Sequence, residues 1–104
     1  MKNLIVLVAA LCSFSCFAKT ELIEFYADWC PPCQKLKPIV DKVSKDLKLN
    51  VDKIDIDANA KLADAFGVDR IPTLILVKDG NVVVKIIGFV DEETLRNELE
   101  PHLK

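Results

Sequence analysis

The sequence predicts an α/β domain: a four-stranded mixed sheet with helices on both faces. Three observations carry that reading. Apolar segments of strand character alternate with segments of helical spacing, in the order β-α-β-α-β-β-α. The first three strands are separated by helix-length stretches, so the first two should pair in parallel. The third and fourth are separated only by Asp79-Gly80-Asn81, a hairpin turn that places them at one side of the sheet. Two cysteines three positions apart, Cys30 and Cys33, stand where the first strand gives way to the first helix. A chain of 104 residues, about half of them apolar, is enough for one small domain with a packed core.

The first eighteen residues do not belong to that pattern. Met1-Lys2-Asn3 is a short basic start, Leu4 to Leu11 is unbroken apolar sequence, and Cys12 to Ala18 continues it with Ser13 and Ser15 before charges begin at Lys19. This is the layout of a secretory signal peptide, and small residues at Cys16 and Ala18 place the cut after Ala18. Residues 1–18 are thus read as a leader for the periplasm and residues 19–104 as the domain. The apolar run falls short of the roughly 20 residues of a spanning helix. An uncleaved leader that anchors the chain is the alternative. A lipidated Cys16 is a third reading, for which Ser13 is a poor substitute for the usual leucine. Cleavage removes only Lys2 among the charged residues and moves the formal charge from −2 to −3. It also leaves Cys30 and Cys33 as the only cysteines. That charge offers no electrostatic case for nucleic acid, and there is no charge run or low-complexity segment.

Taken in order, Leu22 to Tyr26 is a strand apolar on both faces apart from Glu24, so it should be central. Pro31 and Pro32 suit the first turn of a helix, where amide donors lack partners. Leu36, Ile39, Val40, Val43 and Leu47 recur at helical spacing, with Pro38 expected to kink the helix. Val51 to Ile56 alternates as a second strand. Asn59 to Phe66 reads as a short helix with Leu62, Ala63 and Phe66 inward, closed by Gly67. Ile71-Pro72-Thr73 leads into the third strand, Leu74 to Val77. Val82 to Ile87 is the fourth, followed by Gly88. Asp91 caps a last helix that carries Leu95, Leu99 and Leu103 on one face.

The chemistry resides in the two thiols. A helix starting near Cys30 brings Cys33 one turn on, within reach of a small disulfide ring. The helix dipole and free amides favour thiolate at Cys30, which reads as the exposed nucleophile, with Cys33 as the resolving thiol. A purely structural bridge is the alternative, but so short a loop removes little unfolded-state entropy. A non-catalytic binding module is another, for a protein or for a metal, with the thiols holding zinc or copper(I). Two cysteines and a distant His102 argue against zinc.

The element order, joined to Phe25-Tyr26-Ala27-Asp28-Trp29-Cys30-Pro31-Pro32-Cys33 and Ile71-Pro72-Thr73, resembles the thioredoxin family over the whole stretch from Glu21 to the end. Three features depart from its usual pattern. Pro31-Pro32 replaces Gly-Pro, Glu24 stands where an aspartate is usual, and the family's extra N-terminal strand and helix have no room between Ala18 and Leu22. The domain is thus a trimmed thioredoxin-like βαβαββα fold. Tyr26 to Cys30 and Gly88-Phe89-Val90-Asp91 are also similar to the C-terminal domain of the periplasmic disulfide reductase DsbD. Pro-Pro between the cysteines is similar to exported thioredoxin-like proteins of cytochrome maturation.

The resemblance implies thiol–disulfide exchange with protein thiols and disulfides through Cys30 and Cys33. It needs no metal or organic cofactor beyond that disulfide. It puts Glu24 behind Cys33 as proton acceptor, with Lys53 as its charge partner, and desolvation should raise the Glu24 pKa. The alternative is an ordinary ion pair at a sheet edge. Trp29, Pro31, Pro32, Ile71, a cis Pro72 and Gly88 would form the substrate-binding surface, with Arg70 at its rim, and His102 would face solvent. Because neither Pro31 nor Pro32 has an N–H, only the Cys33 amide is left near the Cys30 sulfur. That places the potential nearer the reducing end (about −270 mV) than that of DsbA (about −120 mV). The implied role is a periplasmic reductant, monomeric, re-reduced by a membrane electron carrier similar to DsbD. An oxidase or isomerase is the alternative within the class.

Overall fold

The structure, a computed structural model, describes residues 19–103; the predicted leader lies outside the described residues. The elements are β1 (Thr20–Tyr26), α1 (Pro31–Leu47), β2 (Asn50–Asp55), α2 (Ala60–Ala65), β3 (Thr73–Lys78), β4 (Asn81–Ile87) and α3 (Glu92–Leu99), followed by a 3-10 turn, Glu100–His102. The sheet order is β2-β1-β3-β4. β1 pairs in parallel with β2, and β1–β3 and β3–β4 pair antiparallel. The mixed sheet, the central first strand and the hairpin at one side all follow the sequence pattern.

Side-chain alternation divides the core between the two faces of the sheet. Leu22, Leu74, Leu76, Val84 and Ile86 pack with Leu36, Val40 and Val43 of α1 and with Leu95 and Leu99 of α3. On the other face Ile23, Phe25 and Ile75 pack against Ala63 of α2, with the Phe66 ring 5.6 Å from that of Phe25. One strand therefore feeds both cores, which is why its sequence is apolar almost throughout.

Local signals set the boundaries. α1 stays one helix through Pro38 and ends at Lys48, which takes a left-handed conformation at φ 57° while the Leu49 amide donates to the Ser44 carbonyl at 2.8 Å. Asp79 (φ 52°) and Gly80 (φ 82°) make a two-residue turn with both centres left-handed, the form whose twist suits a hairpin. The Asp91 side chain caps α3 by accepting from the Thr94 amide at 2.8 Å. Arg96 ties α3 to α1 on the surface by bonding both Asp46 and Glu92.

Three sequence expectations need correction. Leu62 is exposed, because α2 turns only Ala63 fully into the core and its neighbour points about 100° away around the helix. His102 is half-buried, and its carbonyl accepts from Lys78 Nζ at 3.0 Å. Leu103 lies beyond the 3-10 turn and is half-buried, so it does not extend the Leu95–Leu99 face at full burial.

Candidate active site

The C-terminal end of β1 delivers the chain to the two thiols. Phe25 is wholly buried, and so is Ala27 two positions on, which anchors the chain where it leaves the sheet. The chain then turns: the Cys30 amide donates to the Ala27 carbonyl at 3.2 Å, and Gln34 Nε2 donates to the Asp28 carbonyl at 3.1 Å. Cys30 is the N-cap of α1, extended at φ −100°, and Pro31 and Pro32 fill the first helical positions. Cys30 and Cys33 are disulfide-bonded, with Cα atoms 5.2 Å apart. The Cys33 amide donates to Cys30 Sγ at 3.3 Å, and the next amide, of Gln34, goes to the Cys30 carbonyl at 3.1 Å. In this oxidised form Cys30 is only 3% exposed, the same as Cys33. Sequence reading made Cys30 the exposed thiol. The packing of Ala27, Tyr26, Ile56 and Ile71 around the pair covers both sulfurs alike, and what separates them is the N-cap position.

The loop before β3 closes the site from the side. The Ile71–Pro72 peptide is cis, Pro72 is buried, and its carbonyl accepts from the Gly88 amide at 2.8 Å. Gly88 has φ +90° and open space where a Cβ would sit, so backbone conformation and not crowding selects glycine there. Trp29 is 65% exposed beside the pair, and its Nε1 donates to Asp57 Oδ2 at 2.8 Å. Between Trp29, Ile71, Val68 and α2 lies an open groove of about 260 Å³, with Arg70 on its rim. Pro31 and Pro32 are exposed at the helix start. The sequence-predicted surface residues thus converge around the disulfide. Asp57, the partner of the indole, was not foreseen; its only sequence trace is the Asp55-Ile56-Asp57 run at the end of β2.

Behind the disulfide is a second pocket, of about 190 Å³, lined by Glu24, Tyr26, Asp28, Cys33, Lys37 and Lys53 among others. Glu24 is 3% exposed, and its Oε1 has no hydrogen-bond partner among the described residues. Burial holds its carboxyl above the usual carboxylate range; Lys53 and Lys37 pull the other way and Asp41 adds to the rise. Lys53 is the register partner of Glu24 across the parallel β1–β2 pair. Its ammonium, however, bonds Asp41 Oδ1 at 2.9 Å. Asp41 was not singled out by the sequence. Among the described residues no group of three or more His, Cys, Asp or Glu side chains is placed to hold a metal ion.

A redox-active disulfide at a helix N-terminus, in a strand–turn–helix beside a cis-proline loop, defines a thiol–disulfide oxidoreductase whose redox centre is part of the chain itself. A family model described as Thioredoxin matches residues 14–101. The thioredoxin of Chlamydia pneumoniae is 44% identical over 82 residues, which is 78% of this chain and 80% of that one. That of Bacillus subtilis is 39% identical over 84 residues, 79% of this chain and 81% of the relative. A solved structure of a mutant thioredoxin from Halobacterium salinarum NRC-1 superposes with a TM-score of 0.79 at 42% identity, covering 83% of this chain and 76% of that one. The chain belongs to the thioredoxin family and is a disulfide reductase acting on protein disulfides.

Proposed function

We propose that the chain works as an exported, periplasmic reductant of protein disulfides. The observation that carries the direction is the single amide at the Cys30 sulfur. With proline at both positions between the cysteines, only the Cys33 N–H donates to Cys30 Sγ, at 3.3 Å. A thiolate held by one donor is stabilised less than one held by two, and a less stabilised dithiol form is the better electron donor. Export is supported by the leader-like layout of residues 1–18, with an uncleaved anchor as its variant.

The reduced protein would act in two steps. Cys30, as thiolate, attacks one sulfur of the substrate disulfide. That bond breaks, the second sulfur leaves as thiolate and takes a proton, and a mixed disulfide forms. Cys33 then gives its proton to Glu24 and attacks Cys30 Sγ, which breaks the mixed disulfide and releases the first substrate sulfur as thiolate. That sulfur takes a proton from water, and Glu24 returns its own to solvent. Two electrons pass to the substrate, and the pair ends as the Cys30–Cys33 disulfide. The pocket shared by Glu24 and Cys33 has a volume of several water molecules at about 30 Å³ each, which suits transfer through water. Trp29, Pro31, Pro32, Ile71, Pro72 and Gly88 supply the surface on which a substrate chain lies, with the Ile71 backbone offering strand-like hydrogen bonds. A membrane electron carrier similar to DsbD returns two electrons.

The deciding experiment measures the reduction potential of the protein recovered from cells, together with its cell fraction. A potential near thioredoxin's about −270 mV and recovery from the periplasmic or membrane fraction support the reading. A potential near about −120 mV reverses the direction. Insulin reduction that survives Cys30→Ser removes Cys30 as the nucleophile.

A further inference from the structure

The pocket behind the disulfide holds an arrangement that the paired-charge expectation leaves unexplained. On α1, Cys33, Lys37 and Asp41 recur at every fourth position and lie along one stripe of the helix. Glu24 shares a sheet face with Leu22, the face that α1 covers. Lys53 is the register partner of Glu24 on β2, near enough for its charge to act on the buried carboxyl, and the exposed Asp41 lies on the helix above. The ammonium goes to Asp41, at 2.9 Å. The buried oxygen Glu24 Oε1 is left with no partner among the described residues, although an unpaired buried acceptor is costly.

We propose that Asp41 is a positioning residue for the exchange reaction, holding the Lys53 ammonium off Glu24 so that Glu24 is free to take and return the Cys33 proton. This rests on Glu24 serving as the proton acceptor of Cys33. A carboxylate locked to an ammonium stays ionised but is a weak base, whereas an acid–base group works best when its pKa lies near the working pH. The charged or titratable groups around Glu24 are Cys33, Lys37 and Asp41 from α1, Lys53 from β2, Asp28 from the turn and Tyr26 on its own strand. β3 contributes Leu74 at this register and so no charge. Of these, Asp41 alone both adds negative charge and restrains a cation. Its neutralisation removes an anion and releases an ammonium, and both changes favour the ionised form of Glu24.

The test follows the Glu24 titration by carboxyl-carbon NMR in the full chain, alongside the pH profile for Cys33 resolving a preformed mixed disulfide. Asp41→Asn should move both the titration and the acidic limb of the profile to lower pH, and Asp41→Glu should restore them. Lys53→Met should move the titration upward, and in that background Asp41→Asn should have much less effect, since no ammonium remains to release. An unchanged Glu24 titration in Asp41→Asn overturns the proposal, as does an equal shift with and without Lys53. Glu24→Gln separates the two levels. If it leaves the resolution profile unchanged, the proton-acceptor reading fails. If it alters the profile while Asp41→Asn does not move the titration, the positioning role alone fails.

Discussion

The Cys33 amide nitrogen lies 3.3 Å from Cys30 Sγ, and it is the one helix-start donor that the two intervening prolines leave to that sulfur. Replacing Pro32 with alanine adds an N–H one position earlier in the first turn, aimed at the same atom. A hydrogen bond to a charged group contributes about 1.5–3 kcal/mol, and for a two-electron couple about 30 mV corresponds to 1.4 kcal/mol. Pro32→Ala should therefore make the protein more oxidising by roughly 30–65 mV, read from equilibration with glutathione. An unchanged or more negative potential would show that the N-cap donors do not set it.

Glu24 gives a stability prediction with a definite sign. Its pKa is raised in the folded protein, chiefly by burial, so folding favours the protonated form. The associated stability is fully present below the unfolded-state pKa and is lost as pH rises through the folded one. Glu24→Gln keeps the shape and removes the charge. At neutral pH and above it should stabilise the protein by about 1–3 kcal/mol, the scale of one buried unsatisfied polar group. The gain should vanish in acid. Urea midpoints measured across pH check both halves.

Two backbone positions should respond in opposite directions. Gly88 sits at φ +90°, where any side chain is strained, so Gly88→Ala should cost about 1–3 kcal/mol even though the Cβ would meet nothing. Lys48 already sits at φ 57°, in the glycine-favoured region, at the end of α1. Lys48→Gly should stabilise by about 0.5–1 kcal/mol. Thermal melts of the pair test whether backbone conformation alone decides these sites.

Leu95 and Leu99 are wholly buried between α3 and the sheet. Leu95→Ala should cost about 2–5 kcal/mol and leave the reduction potential unchanged, because Leu95 is not among the residues packed around the disulfide. A shifted potential would mean that the last helix is coupled to the thiols.

The Cys30–Cys33 pairing was legible, as was the cis Ile71–Pro72 peptide, whose Ile-Pro-Thr setting matched the family pattern. The near-complete cover over Cys30 was not legible. Beside the local Tyr26 and Ala27, it needs Ile56 and Ile71, residues 26 and 41 positions further along. The Asp57 partner of Trp29 and the Asp41 partner of Lys53 were missed for the same reason: neither is a neighbour within its own element.

What the chain determined by itself is the order and type of its elements. Alternation over a few residues, helical spacing, Asp79-Gly80 at the turn and Asp91 at the last cap are local properties of backbone geometry, and short windows of sequence carry them. The parallel pairing of β1 with β2 followed too, because a helix-length crossover permits it. The tertiary structure decided which charges meet. Register set Lys53 beside Glu24, but the packing of α1 over the sheet edge put Asp41 within 2.9 Å of the same ammonium and left Glu24 Oε1 without a hydrogen-bond partner among the described residues. A long side chain chooses among all acids within its reach, and that set exists only once the elements have packed.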